Sequence, residues 1–338
     1  MGDLDEMIRR EFMRLMAITG ALLPARDALA AVDASQSAET CGSPGAYEMA
    51  NAHLWKVFSL TASKRALYPI VREQLSGLSK SLKEASTHEE HKKLCAATGN
   101  LFQLAGEIFF DGNRYTESAH CYSLAASASK EADEYDLWAC ALTRHAFIGM
   151  HERQFSETVP LLEAASLISQ RGSSKLSTRY WVSAVQAETF ARLGDFESCR
   201  RSLDAAEHVL SLSGDAQNGG WLRFDGSRLA EDRGACYVTL DRPDLAEEAL
   251  MEALNNPLSS RRRSGVLIDL AALGIRRRDI DQVVSCTRAA IELGQRTKSG
   301  YVERKLHDLQ GQLWPFQENK RISVLSDEIS ALTRAVQR

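Results

Sequence analysis

The chain has 338 residues, 44% hydrophobic and 25% charged, with a formal net charge of −4. That balance excludes wholesale disorder and a collagen-like filament. The slight acidity also argues against a nucleic-acid surface spread over the whole molecule, leaving only a local basic patch open. With seven prolines and much alanine, the composition suits helices, because alanine loses least entropy there. No run of about 18 uncharged apolar residues occurs, so no membrane-spanning helix is expected. Seven cysteines (Cys41, Cys95, Cys121, Cys140, Cys199, Cys236, Cys286) stand singly, without a C-x-x-C pair. They read as reduced core thiols of a cytoplasmic protein, with no spacing for a disulfide framework or a metal cluster.

Residues 1–34 are expected to form an N-terminal helical segment, with one helix from Asp3 to Leu23 and a short piece from Arg26 to Val32. Two readings fit RREFMRLMAITGALL (9–23). Arg9, Arg10 and Phe12 ahead of an apolar run resemble a twin-arginine export leader. Asp3, Asp5, Glu6 and Arg26, and the lack of an A-x-A cleavage site, suit an amphipathic helix docked on the domain. SQSAETCGSPG (35–45) is small, polar and broken by glycine and proline, and is predicted to be a linker loop.

Residues 46–87 carry two apolar faces at helical spacing and predict a helix pair. Tyr47, Ala50, Leu54, Val57 and Phe58 make the first face. Leu67, Ile70, Val71, Leu75, Leu78 and Leu82 make the second. Thr87 followed by Glu90 predicts a capping box for the next helix.

Between 88 and 299 one pattern repeats about five times. Its clearest copies are GDFESCRRSLDAA (194–206) and RPDLAEEALMEAL (242–254). RYTESAHCYSLAA (114–126), QFSETVPLLEAA (154–165) and DIDQVVSCTRAA (279–290) follow the same form. The turn residues Tyr115, Phe155, Phe196, Pro243 and Ile280 are spaced by 40, 41, 47 and 37 residues. Two helices approach closely only where side chains are small. Gly106, Ala146, Ala187, Gly234 and Ala271 therefore mark the crossing on each first helix, and Ser118, Thr158, Cys199, Ala246 and Val283 on each second. Large residues at Tyr122, Leu162, Leu203 and Leu250 fill the space between pairs, and stability comes from stacking neighbours. After Gly300 two further amphipathic helices, within 300–338, supply an end cap.

This pattern resembles the tetratricopeptide repeat over roughly Glu89 to Gly294, with Phe109, Phe190 and Tyr237 in the family's aromatic slot. It departs in lacking most of the family's first-helix tryptophans and in a pitch longer than the usual ~34 residues. The resemblance implies an all-α, right-handed superhelical solenoid of antiparallel helix pairs. A narrower likeness is carried by RREFMRL (9–15), FQLAGEIFFDGNRYTESAHCY (102–122) and WLRFDGSRLAEDRGACYVTLDRPDLAEEAL (221–250). It is similar to the sensor half of actinobacterial and chloroflexal regulators, in which a helix-turn-helix domain precedes a tetratricopeptide array. No helix-turn-helix pattern stands ahead of Arg9, so the likeness implies a signal-responsive interaction module rather than direct DNA binding.

In such arrays the first helices line a concave groove. Carried over, the groove positions are Asn100, Gln103, Glu107 and Asp111, then Thr143, Phe147 and His151, then Trp181, Glu188 and Arg192, then Arg228 and Glu231. Aromatic anchors among mixed charges suit a peptide or a partner helix. Trp221, Phe224 and Asp225 either close the gap between the third and fourth pairs or form a lid, with Asp225 three residues from Arg228. The triplets Arg261, Arg262, Arg263 and Arg276, Arg277, Arg278 bracket one helix about 15 residues, or ~22 Å, apart. They favour helix ends, with an anionic partner as the alternative.

Catalytic motifs are not found. His88 and His91 lack the spacing of H-E-x-x-H, Gly219-Gly220 lacks a following lysine, and no G-x-S-x-G elbow occurs. The expectation is a cytoplasmic, non-enzymatic regulatory adaptor that needs no cofactor or metal and binds a protein or peptide, with homodimerisation left open. The alternatives are a regulator touching DNA through its arginine clusters, and an exported scaffold.

Overall fold

The computed structural model describes residues 42–61, 64–212, 221–222, 224–297 and 300–336. The expected helices at Asp3–Leu23 and Arg26–Val32, the export or docking role of RREFMRL, and most of the 35–45 linker lie outside the described residues. Within them the chain is helical, with no strand, and the helices pack in adjacent pairs. In chain order the helices are α1 (Pro44–Leu60), α2 (Tyr68–Glu84), α3 (His88–Asp111), α4 (Tyr115–Glu131), α5 (Tyr135–His151), α6 (Phe155–Ser169) and α7 (Thr178–Arg192). There follow α8 (Phe196–Glu207), α9 (Leu229–Thr239), α10 (Pro243–Asn255), α11 (Ser260–Arg277), α12 (Ile280–Thr297), α13 (Gly300–Leu313) and α14 (Lys320–Val336). No described helix is long and apolar enough to cross a membrane.

The described residues fall into two compact units, one within Met1–Val182 and Leu212–Arg223, the other within Ser183–Ser211 and Phe224–Arg338. In the first, α3 pairs with α4 and α5 with α6. In the second, α9 pairs with α10 and α11 with α12, and α13 and α14 follow.

Each repeat's predicted turn residue is the first residue of a second helix: Tyr115, Phe155, Phe196, Pro243 and Ile280 begin α4, α6, α8, α10 and α12. Two residues earlier stand Asn113, Arg153, Gly194, Asp241 and Arg278, all left-handed, with φ from 56° to 77°. The next residue closes each turn by donating its N–H to a carbonyl five residues back: Arg114 to Phe109, Gln154 to Gly149, Asp195 to Phe190, Arg242 to Tyr237 and Asp279 to Gly274. This is the Schellman closure of a helix C-terminus. Asp133 and Glu134 repeat it between α4 and α5.

The crossing residues are where the pattern put them. Ser118, Cys199, Ala246, Ala187 and Ala271 have no exposed surface, and Tyr122, Leu162, Leu203 and Leu250 are buried behind them. A Cβ on Gly106 would stand 2.4 Å from the Tyr122 ring, and one on Gly234 2.5 Å from Leu250. Thr87 caps α3 by accepting from the Glu90 N–H at 3.1 Å, while the Glu90 carboxylate reaches back to the N–H of Ser86 at 3.0 Å. His91, in the first turn of α3, is buried beside Cys95, with 3.5 Å between its Nε2 and the Cys95 sulfur.

The N-terminal pair departs from expectation. α1 begins at Pro44, inside the expected linker. Ser43 caps it, accepting from the Ala46 N–H at 3.3 Å, and proline has the φ a first helical residue needs. α1 touches α2 where Tyr47 packs on Gly77 and meets Ser81 at 3.0 Å. Its larger contact is with α3, where Asn51 donates to the Ala97 carbonyl at 2.8 Å and Trp55 Nε1 to Asn100 Oδ1 at 2.6 Å. α1 is therefore a helix laid on α3, not simply the hairpin mate of α2.

Candidate partner-binding face

In the first unit the expected groove positions converge on a residue that sequence reasoning passed over, Arg144 of α5. Its side chain is 7% exposed. Its Nε donates to Glu107 at 3.2 Å, and its two terminal nitrogens donate to Gln103 Oε1 and to the Trp221 carbonyl. Its guanidinium lies 5.2 Å from the ring centroids of both Trp55 and Trp181, held between two indoles. Tyr122 donates to the same Glu107 oxygen at 2.9 Å, and Gln103 Nε2 donates to the Leu137 carbonyl at 3.0 Å. Burial, with Glu107 beside it, raises the Tyr122 hydroxyl well above its usual range, so it stays a donor. A buried guanidinium is tolerated only when its charge is paired and its N–H groups are used. α1, α3, α5, α7 and the Trp221 backbone meet here for that reason.

The other expected positions of this unit separate into floor and surface. Gln103 and Thr143 have no exposed area. Thr143 is spent on its own helix, donating to the Ala139 carbonyl at 2.8 Å. Asn100 is half-buried under Trp55. These three are packing residues rather than open groove: α1 covers α3 at Asn100, and Gln103 is taken up by Arg144 and the Leu137 carbonyl. Asp111, Phe147 and Trp181 keep part of their surface, and His151 is exposed. Phe147 and Trp181 lie 6.3 Å apart at 38°, and His151 stacks on Tyr115 at 4.1 Å. Tyr115, His145, Glu152, Glu157 and Leu161 also line an open cleft of about 400 Å³. Arg144 had one legible signal: it is the only arginine or lysine in the apolar helix YDLWACALTRHAFIGMH, 37 residues after an acid on the preceding first helix.

The second unit repeats this acid-to-base step between successive first helices. Arg262 of α11 binds Glu231 of α9, its Nε at 2.8 Å, and Lys305 of α13 binds Asp269 of α11 at 2.5 Å. Burial opposes the charge on Lys305, but Asp269 and Tyr301 outweigh it and hold its pKa above the ordinary lysine range. Glu188 and Asp232 are half-buried and Arg192 and Arg228 exposed. Asp232 chiefly holds Arg228 in its charged form. Burial, assisted by Glu188 and Glu231, pushes Asp232 itself up from 3.8 to about 6 against the pull of Arg228 and Arg262. This carboxyl, one residue beyond the predicted Glu231, was also missed.

None of the three lid residues stands free. Trp221 packs partly buried on the core of the first unit, and Phe224 is 3% exposed. Asp225 is exposed and accepts from the Ser227 N–H at 2.9 Å. The arginine triplets do not make a single basic patch. Arg262 is held by Glu231 and the Ser227 carbonyl, and Arg261 lies over the Tyr301 ring at 5.1 Å. Arg276 binds Asp241 at 2.6 Å, and Arg277 binds Glu247 at 2.8 Å and Asp244 at 3.6 Å. These last pairs tie the end of α11 to the preceding hairpin. Arg263 and Arg278 are exposed, the latter closing α11 in its left-handed turn.

Among the described residues no three His, Cys, Asp or Glu side chains are placed to hold a metal ion. No family model matches the chain, and no curated protein matches it.

Proposed function

We propose that the chain is a non-catalytic regulatory adaptor of the tetratricopeptide type, a right-handed solenoid whose first-helix face takes a peptide or a partner helix. One observation carries this reading: five hairpin turns share one left-handed closure at the spacing of the sequence repeat, with buried small-residue crossings behind them. Stacked hairpins of this kind present their first helices as a continuous face. In the first unit the surface left open on that face is Phe147, Trp181, Asp111 and His151, over a floor made rigid by Arg144 and Glu107. In the second it is Glu188, Arg192, Arg228 and Asp232, beside a Glu231 that Arg262 already holds. Rigid aromatic residues rimmed by charge are the usual anchors of peptide recognition.

Direct contact with DNA is the less favoured reading, because Arg262, Arg276 and Arg277 already spend their charge on carboxylates.

The test is a double variant, Phe147→Ala with Trp181→Ala, compared with the wild type in quantitative affinity purification. Partners of the groove are expected to drop at least tenfold while the helical circular dichroism stays unchanged. An identical partner profile from a folded double variant overturns the proposal.

A further inference from the structure

Two thiols in the second unit have no part in the face described above. Cys199 lies in the first turn of α8 and Cys236 near the end of α9. Both are buried, at 0% and 2% exposure, in one small cluster with Ala187, Ala191 and Leu203. The helices that carry them pack against each other, and each thiol is close enough to the other to shift its titration. Of the described cysteines, Cys95, Cys121 and Cys140 are also buried, and Cys286 is partly exposed.

We propose that Cys199 and Cys236 are a redox pair, which a peroxide converts reversibly into a disulfide joining α8 to α9.

The geometry supplies what the reaction needs. α8 is a 12-residue helix with three buried side chains, Cys199, Leu203 and Ala206, and a partly exposed Phe196 against Tyr237. Helices with so little buried surface open locally at low cost, and that admits a molecule as small as hydrogen peroxide. The hydrogen bond from Cys236 holds the Cys199 thiol below its usual range, and the same bond, with burial, holds Cys236 above it. Cys199 is the attacking sulfur, since it sits in the first turn of α8, where the helix N-terminus favours the thiolate that acts as nucleophile. Its sulfur bonds to one peroxide oxygen as the O–O bond breaks, giving a sulfenic acid and water. The Cys236 sulfur then displaces that oxygen from Cys199, forming the S–S bond and releasing a second water. Both thiol protons leave in the two waters; the two sulfurs are oxidised and the peroxide is reduced.

Asp232 stands one helical turn before Cys236, so the bond would restrain the part of α9 that carries the Arg228 and Asp232 charges.

The experiment exposes the full chain to hydrogen peroxide, alkylates it under denaturing conditions, and maps the unreduced digest by mass spectrometry. The expected result is loss of two alkylatable thiols and a linked peptide containing Cys199 and Cys236, which dithiothreitol separates. In Cys236→Ser the linked peptide disappears and dimedone captures Cys199 as its sulfenic acid. If circular dichroism shows that variant unfolded, the wild-type map alone decides. The proposal is overturned if Cys199 and Cys236 remain fully alkylatable at a dose that oxidises Cys286, or if either forms its bond with a different cysteine.

Discussion

At the scale of single residues the fold depends on where a Cβ is absent. Gly106 faces the Tyr122 ring, which is itself fixed by its bond to Glu107, so an added methyl has no flexible neighbour to displace. Gly106→Ala is expected to lower stability by about 1–3 kcal/mol. Gly311, exposed in α13 with nothing within 4 Å of its Cβ position, behaves oppositely. Gly311→Ala should raise stability by about 0.5–1 kcal/mol, as helix propensity alone dictates. Urea midpoints of the two variants, moving in opposite directions, check both. Asp232 supplies a pH dependence. Its carboxyl ionises near 6 in the folded chain and near 3.8 when unfolded. Between those values the folded state holds the extra proton, so stability falls as pH rises from about 4 and the loss is complete above about 6. Asp232→Asn lacks this decline. Its urea midpoint should lie above that of the wild type at pH 7.5, with the gap closing by pH 4.

At the scale of helices, Arg144 determines how α1, α3, α5 and α7 meet. Arg144→Ala would leave Glu107 half-buried without its cation and remove the filling between Trp55 and Trp181. A loss of about 3–5 kcal/mol is expected, as when one partner of a buried ion pair is removed. Arg144→Lys should recover only part of it, since an ammonium cannot fork to Glu107 and Gln103 while stacking between two rings. Equal midpoints for Arg144→Ala and the wild type would count against the assigned role.

The hairpins were legible from sequence because their determinants are local. Small residues, a large residue and a turn recur at fixed offsets, and the predicted turn residues begin α4, α6, α8, α10 and α12. The inner face was only half legible. Trp55 reaches Asn100 across 45 residues, and Arg144 reaches the Trp221 carbonyl across 77. No periodicity announces contacts of that range. Gln103 and Thr143 therefore looked open although their neighbours bury them, and the arginine triplets, read as suiting helix ends, gave no sign that Asp241, Asp244 and Glu247 of the preceding hairpin hold Arg276 and Arg277.

At the scale of the whole molecule, the two units carry very different spectroscopic labels. Of the five tryptophans, Trp55, Trp138, Trp181 and Trp221 belong to the first unit. The fifth, Trp314, is 77% exposed and changes little on unfolding. Tryptophan emission thus follows the first unit, whereas far-ultraviolet circular dichroism follows both. Compact units of one chain need not unfold together. Gly106→Ala is expected to shift the emission midpoint, while Gly234→Ala, which meets Leu250 in the second unit, should shift the dichroism midpoint and leave emission nearly unchanged. Equal shifts by both probes for both variants would mean that the chain unfolds as one cooperative body.

The left-handed turns have one more consequence. Asn113, Asp133, Arg153, Asp241 and Arg278 carry side chains in a backbone basin that disfavours them, where only Gly194 fits without penalty. The closing bonds are made by main-chain atoms, so they make no demand on those side chains. The protein thus keeps unclaimed robustness at two hairpin tips: glycine in place of the exposed Arg153 or Arg278 would harden the scaffold against heat, whereas Asn113, Asp133 and Asp241 use their side chains to hold Tyr115, Lys92 and Arg276.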